Sequence, residues 1–212
     1  MRPLLAVVSF SLAALLAGDA TAQTAPANMV ALQAEIETVY NLADGTQVRT
    51  NGHFYRSRSG QVREDSSLGA VITDVAAGTI TILVAERKEA RVITIPPEQK
   101  ARPVRSARPG PEVFEETTVD GQRVTKARGQ GPQGQKVELW TANDLGVVTW
   151  TKTEAAGLTT TKEMRNISTR EPSKELFAIP ADYTVIEQEA RPGNGPQKVL
   201  PRQRGPVSPP AR

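Results

Sequence analysis

The sequence contains no cysteine, which excludes disulfide bonds and thiolate metal sites throughout the chain. Aromatic residues make up only 4% of the 212 residues, and His53 is the single histidine. The hydrophobic fraction of 38% is low for a compact globule of this length. A folded part of the chain must therefore depend on a modest aliphatic core.

Proline and positive charge are concentrated in two segments. Five of the 16 prolines lie in 96–111 and six lie in 191–210. Segment 96–111 carries a net charge of +3 and segment 188–212 carries +4, although the whole chain is only +3. The rest of the chain is thus acidic, which argues against a nucleic-acid-binding face. We predict a mobile Pro/Arg loop at 96–111 and a disordered basic Pro-rich tail at 188–212.

Residues 1–22 have the pattern of a secretory signal peptide. Arg2 precedes an apolar run of 13 residues, 4–16, and Ala20-Thr21-Ala22 is an A-x-A cleavage site. The alternative is a transmembrane anchor, but an anchor needs about 20 apolar residues, and Asp19 follows this run. We predict an exported protein, periplasmic or secreted, with a flexible leader at 23–29 and no membrane span after cleavage.

Two-residue alternation is the main signal between residues 30 and 187. From Val30 to Leu42, apolar and polar side chains alternate, which is typical of a half-buried strand. A helix is the alternative there, but Asp44-Gly45 follows as a hairpin turn and favours the strand. Further strands are predicted at 46–58, 61–65, 71–74, 79–85, 91–95, 112–119, 122–128, 137–142, 147–153, 158–167 and 183–186.

Short strands at regular spacing indicate an all-β fold. A twisted antiparallel sheet of about nine to eleven strands tends to curl. We therefore predict a mainly antiparallel, single curved sheet that forms a partial, unclosed barrel with little helix. One helical turn is expected at 171–177, with Ser173 as a possible cap, and a loop at 129–135.

Trp140 and Trp150 are the candidate ligand-binding residues, on two strands that flank an Asn-Asp-Leu-Gly turn. If Ala142 pairs with Val147, the tryptophans face opposite ways. If Thr141 pairs with Val147, they share a face, so a slip of one residue decides the arrangement. Core packing is the simpler interpretation of the pair, and contact with a ligand is the alternative.

No catalytic constellation, metal site or cofactor motif is recognisable. His53 has no evident partners, and Glu115 and Glu116 are adjacent on a strand, so their carboxylates point to opposite faces. Asp120-Gly121 fits a turn, and the glycine-rich run 129–134 lacks the context of a phosphate loop. We predict a protein that is not an enzyme; a hydrolase acting through distant carboxylates is the remaining enzymatic alternative.

Several motifs are similar to those of known secreted proteins. They are Glu138-Leu139-Trp140-Thr141, Asp144-Leu145-Gly146, Asn166-Ile167, the run 171–183, Leu42-Ala43-Asp44-Gly45 and the run 55–65. This set resembles a group of secreted bacterial proteins of unassigned function. Residues 30–187 also resemble the lipoprotein-carrier fold shared by LolA, LolB and RseB-type periplasmic sensors, an unclosed barrel around an apolar cavity.

The resemblance implies an exported periplasmic or envelope protein, not an enzyme, that binds a lipid-like or apolar ligand in a half-barrel. The alternative is a protein-interaction or envelope-sensing module, in which the sheet edge or the basic tail contacts an envelope protein. These two hypotheses differ in the surface that they use. The first needs an open apolar inner face, and the second needs an accessible edge or tail.

Overall fold

The computed structural model describes residues 29–95, 111–131 and 133–189. The predicted signal peptide, the leader before Met29, the Pro/Arg loop up to residue 110 and the tail from residue 190 lie outside these described residues. Within the described ranges, no helical segment has the length and apolar character that a membrane crossing requires.

The described residues form one sheet of twelve strands. The strands are β1 Leu32–Leu42, β2 Gln47–Arg56, β3 Gln61–Ser66, β4 Gly69–Asp74, β5 Thr79–Val84, β6 Glu89–Thr94, β7 Glu112–Val119, β8 Gln122–Gln130, β9 Lys136–Ala142, β10 Val147–Ala155, β11 Leu158–Ser168 and β12 Thr184–Glu189. Their order is β12-β6-β5-β4-β3-β2-β1-β11-β10-β9-β8-β7, so β12 and β7 are the two edges. The predicted all-β, unclosed and mainly antiparallel sheet is confirmed.

Three details differ from the sequence prediction. The sheet has twelve strands, which equals the number of strand segments predicted but exceeds the estimate of about nine to eleven. Strand β8 continues through Gly129 and Gln130 instead of ending in a loop. The predicted helical turn is present as a 3-10 turn over Lys174–Phe177. Ser173 does not cap this turn, because its hydroxyl contacts the Glu175 carboxylate rather than a backbone N–H.

The last strand is placed by a crossing segment, residues 169–183. β11 lies in the middle of the sheet, whereas β12 pairs parallel with β6 near one edge, and parallel pairing requires such a crossover. Phe177, Ile179 and Tyr183 of the crossing segment pack on a buried cluster formed by Ala70, Ile72, Leu83 and Ala90. Arg63 Nη1 also donates a 2.6 Å hydrogen bond to the Leu176 carbonyl. The crossing segment therefore covers one face of β3–β6.

A second core cluster lies on the opposite face of the sheet. Leu32, Ala34 and Ile36 of β1 face Phe54 of β2, and all four are buried. Ala142, the last residue of β9, and Leu145, in the connection between β9 and β10, complete this cluster. Strands three steps apart in the sheet thus share one core, which requires the sheet to curl.

Arg56, at the end of β2, fixes this curl. Its side chain is buried, and its three nitrogens donate to the backbone carbonyls of Val30, Leu145 and Gly146. Burial lowers the pKa of Arg56, and carbonyl oxygens replace the water that a guanidinium otherwise needs. One side chain therefore joins β2 to the chain entering β1 and to the β9–β10 turn.

We predict that Arg56→Lys destabilises the protein by about 2–4 kcal/mol, because a lysine ammonium cannot reach three separate carbonyls and leaves buried acceptors unpaired. The free energy of unfolding in urea measures this effect. Arg58→Lys is the matched control, since the Arg58 side chain is 75% exposed. Equal urea midpoints for the two variants would contradict the role assigned to Arg56.

Candidate functional site

A row of directly paired residues crosses seven strands on the face that carries Phe54. The row is Ala34, Phe54, Glu64, Val71, Ile82, Arg91 and Ile186. Residues two positions away along each strand share this face. We define the aliphatic patch as six half-buried side chains around Ile82: Val62, Val71, Ile80, Ile82, Val84 and Ile93.

The sheet is concave on the side of the aliphatic patch. Lys162 of β11 and Glu64 of β3 lie three strands apart and four residues apart in register, about 19 Å in a flat sheet. Their charged groups nevertheless meet, with Lys162 Nζ 2.7 Å from both Glu64 oxygens. Only curling toward this face brings them together.

Gly52 shows the same bend in the backbone. It lies opposite Ile36 on the concave face, and a Cβ atom built there would meet the Asp65 carbonyl oxygen at 2.1 Å. The end of β3 therefore passes close over β2, and only glycine leaves room for this approach.

Charged groups bound the aliphatic patch on two sides. The Lys162–Glu64 ion pair lies toward the middle of the sheet, with both side chains about one-fifth exposed. Arg91 lies toward the β12 edge and contacts Glu89 through Nη2 at 3.2 Å. Arg91 Nε is buried and has no hydrogen-bond partner. Every other buried side-chain nitrogen or oxygen in the described part of the chain has one. The concave face thus combines apolar surface with an incompletely bonded cation.

A second row of paired side chains crosses seven strands on the opposite, outer face. Its members are Glu115, Lys126, Trp140, Trp150, Glu163, Glu37 and Asn51. We call this set the tryptophan row. The two indole rings stack with centroids 4.5 Å apart, and Lys126 Nζ lies 4.5 Å from the centroid of Trp140. Trp140 Nε1 donates to Glu138 at 3.0 Å.

A β-bulge places the two tryptophans side by side. The hairpin starts in the register with Ala142 opposite Val147, which alone would separate them. The register then shifts between Val148 and Trp150, so that Trp150 lies directly opposite Trp140. Both therefore share a face, and it is the face opposite the aliphatic patch. A ligand-binding role for Trp140 and Trp150 remains a prediction, and it would concern the outer face.

The other residues considered from the sequence do not assemble into a reactive site. His53 is exposed and borders a polar groove of about 360 Å3 whose lining includes Glu35, Glu37 and Arg165. Glu115 forms an ion pair with Lys126. No group of three or more histidine, aspartate or glutamate side chains that could hold a metal ion occurs in the described ranges. In this open groove, Glu37 and Arg165 form an ion pair with each other.

Sequence reasoning missed Glu64, Arg91 and Lys162 as members of one concave surface. One signal was present: Glu64 follows Val62, and Arg91 precedes Ile93, at the apolar positions of the alternation. A charged residue at such a position lies on the same face of the sheet as the apolar side chains two residues away on its strand. Their proximity across the sheet depends on its curvature, which alternation does not encode.

Comparisons with known proteins concern the fold. No protein-family model matches the chain, and no curated protein matches it. The chain is similar to an uncharacterised conserved protein from Thermus thermophilus, with 9% identity, a TM-score of 0.54, and coverage of 76% of this chain and 91% of that one. This likeness shows a shared fold.

Two further solved structures belong to groups named in the predicted resemblance. A LolA superfamily protein from Nitrosomonas europaea has 8% identity and a TM-score of 0.37, and covers 71% of this chain and 90% of that one. MucB of Pseudomonas aeruginosa, in its complex with MucA, has 16% identity and a TM-score of 0.43, and covers 74% of this chain and 58% of that one. The solved structures to which the chain is similar thus include members of the groups named in the predicted resemblance, and fold alone does not carry activity.

The stacked tryptophans have a spectroscopic consequence. Two indoles 4.5 Å apart couple electronically, so we predict an exciton couplet in the far-ultraviolet circular dichroism spectrum. Trp140→Phe and Trp150→Phe should each abolish the couplet, whereas Lys126→Gln should leave it in place. A couplet that survives either tryptophan substitution would be inconsistent with the observed register.

Proposed function

We propose that the protein is an exported binding protein, not an enzyme, that holds the apolar chain of an amphiphile on the concave face. The observation that carries this proposal is the difference between the two faces of β3–β6. On the outer face, Ala70, Ile72, Leu83 and Ala90 are buried under the crossing segment. On the concave face, the six side chains of the aliphatic patch are only partly buried, and Val62 among them also packs against the cluster of Leu32 and Phe54.

Burial of an alkyl chain on the patch would give a favourable free energy of binding. Burying an apolar chain contributes about 0.8 kcal/mol per CH2, so eight methylenes on the patch would contribute about 6 kcal/mol before the costs of association. Its β-branched side chains are rigid at χ1 and form a surface that needs little ordering when a ligand binds. These features support a preformed apolar site on the sheet.

The charged margins support an amphiphile rather than a purely apolar molecule. Lys162–Glu64 bounds one side of the patch and Arg91–Glu89 bounds the other. A ligand with a polar end can lie with its chain on the patch while its headgroup stays near charge and water. Both margins are ion pairs, and neither presents a nucleophile beside a general base, which favours binding over catalysis.

A protein-interaction role is the second candidate, and the edge strand β7 favours it. Val113 is 56% exposed and Phe114 is 39% exposed on this edge, which also carries Glu112, Glu115 and Glu116. An extended segment with basic side chains would pair with such an edge by strand addition. Photo-crosslinkers placed at residues 114 and 80 in the native host separate the candidates: protein adducts at 114 favour the edge, and lipid adducts at 80 favour the patch.

We predict that the double variant Val71→Thr/Ile82→Thr binds dodecanol about tenfold more weakly than the wild type, because hydroxyls replace methyl groups that the chain would bury. Threonine keeps the β-branched shape, so the sheet should persist. Isothermal titration of the delipidated protein measures the affinity.

Val185→Thr is the matched control, since Val185 is 50% exposed and lies opposite Ala90, on the outer face. It should bind dodecanol as the wild type does. Undetectable binding by the wild type, or equal binding by the double variant and the wild type, would refute the proposed site.

A further inference from the structure

Arg91 occupies an unusual position on the concave face. It lies between Ile82 and Ile186 in the row of paired residues, next to the aliphatic patch. Its side chain is 41% exposed, yet its Nε is buried without an acceptor among the described residues. A guanidinium offers five N–H donors, and within the described part of the chain this one makes a single recorded hydrogen bond, from Nη2 to Glu89 at 3.2 Å.

Three other arginines, Arg56, Arg63 and Arg165, are bonded more completely. Arg56 uses all three nitrogens on carbonyls. Arg63 donates from Nε to Asp65 at 2.6 Å and from Nη1 to Leu176 at 2.6 Å. Arg165 donates from both Nε and Nη2 to Glu163. Arg91 alone among these four combines a buried unpaired Nε with a single long contact.

We propose that Arg91 binds the carboxylate of a single-chain fatty acid whose chain lies across Ile82 and Val71. This inference rests on the proposed function and names the headgroup of its ligand. A carboxylate matches the planar fork of a guanidinium and forms two charge-assisted hydrogen bonds with it. From Arg91, the chain would pass over β5 and β4 toward Glu64, along the row that the strand pairing defines.

Glu89 is the internal competitor for this anion. It lies two residues before Arg91 on β6 and opposite Val84, so it shares the concave face. Its contact with Nη2 holds the guanidinium in place in the absence of ligand. An incoming carboxylate must displace this contact or use the remaining donors, so removal of the Glu89 charge should strengthen anion binding.

The test compares three ligands of equal chain length: laurate, dodecanol and dodecyltrimethylammonium. Isothermal titration of the delipidated full chain should give the tightest binding for laurate, by about tenfold over dodecanol. Arg91→Gln should remove this preference, measured as the ratio of the laurate and dodecanol affinities within the variant. Glu89→Gln should raise the affinity for laurate several-fold, a gain that a purely structural role of the pair does not produce.

Arg87→Gln is the matched control, because Arg87 is exposed on the 3-10 turn just before β6. It should retain the preference for laurate. If the wild type binds all three ligands equally, or if Arg91→Gln keeps the preference, the assignment of Arg91 fails while the apolar site stands. If no ligand binds, the proposed function fails and the assignment fails with it.

Discussion

A buried arginine bonded to backbone carbonyls is the constraint on which the shape of this molecule depends. Arg56 gathers carbonyls from the entry to β1 and from the β9–β10 turn, which are distant in sequence. These groups lie close together only when the sheet curls around the cluster of Leu32 and Phe54. A buried cation is costly unless its donors are satisfied, so the curled arrangement is favoured over an open sheet. Curvature, in turn, creates the concave face.

The two halves of the outer face are stabilised in different ways. The outer face of β3–β6 gains a core from the crossing segment, through Phe177, Ile179 and Tyr183. The outer face of β7–β11 is instead filled by the tryptophan row, with stacked rings, a cation over an indole, and ion pairs. Glu37 and Glu163 are paired carboxylates within that row. Arg165 lies 2.7 Å from both and offsets the repulsion between them. These contacts stabilise the outer surface of a chain that has no cysteine for a disulfide.

Sequence alternation was sufficient to locate nearly every strand, because a sheet with one covered face imposes a period of two. Turn chemistry was equally informative: Asp44-Gly45 and Asp120-Gly121 both form hairpin turns, with positive φ at both glycines. The register of the two tryptophans could not be predicted from the sequence. The bulge at Thr149 adds a residue to one strand without changing the side-chain pattern around it. Ser173 failed as a cap because Glu175 was available to its hydroxyl.

The candidate site was less predictable than the fold for a related reason. Lys162 and Glu64 are 98 residues apart and meet only across a curved surface. No local sequence pattern therefore predicts their ion pair. Arg91 is unusual because no described residue supplies a hydrogen-bond acceptor for its buried Nε, which lies beside the aliphatic patch. Arg56, Arg63 and Arg165 are more completely bonded, whereas the unpaired Nε of Arg91 lies where the surface is apolar and concave. That coincidence is the reason for proposing a binding surface at Arg91, because a buried donor without an acceptor requires an explanation.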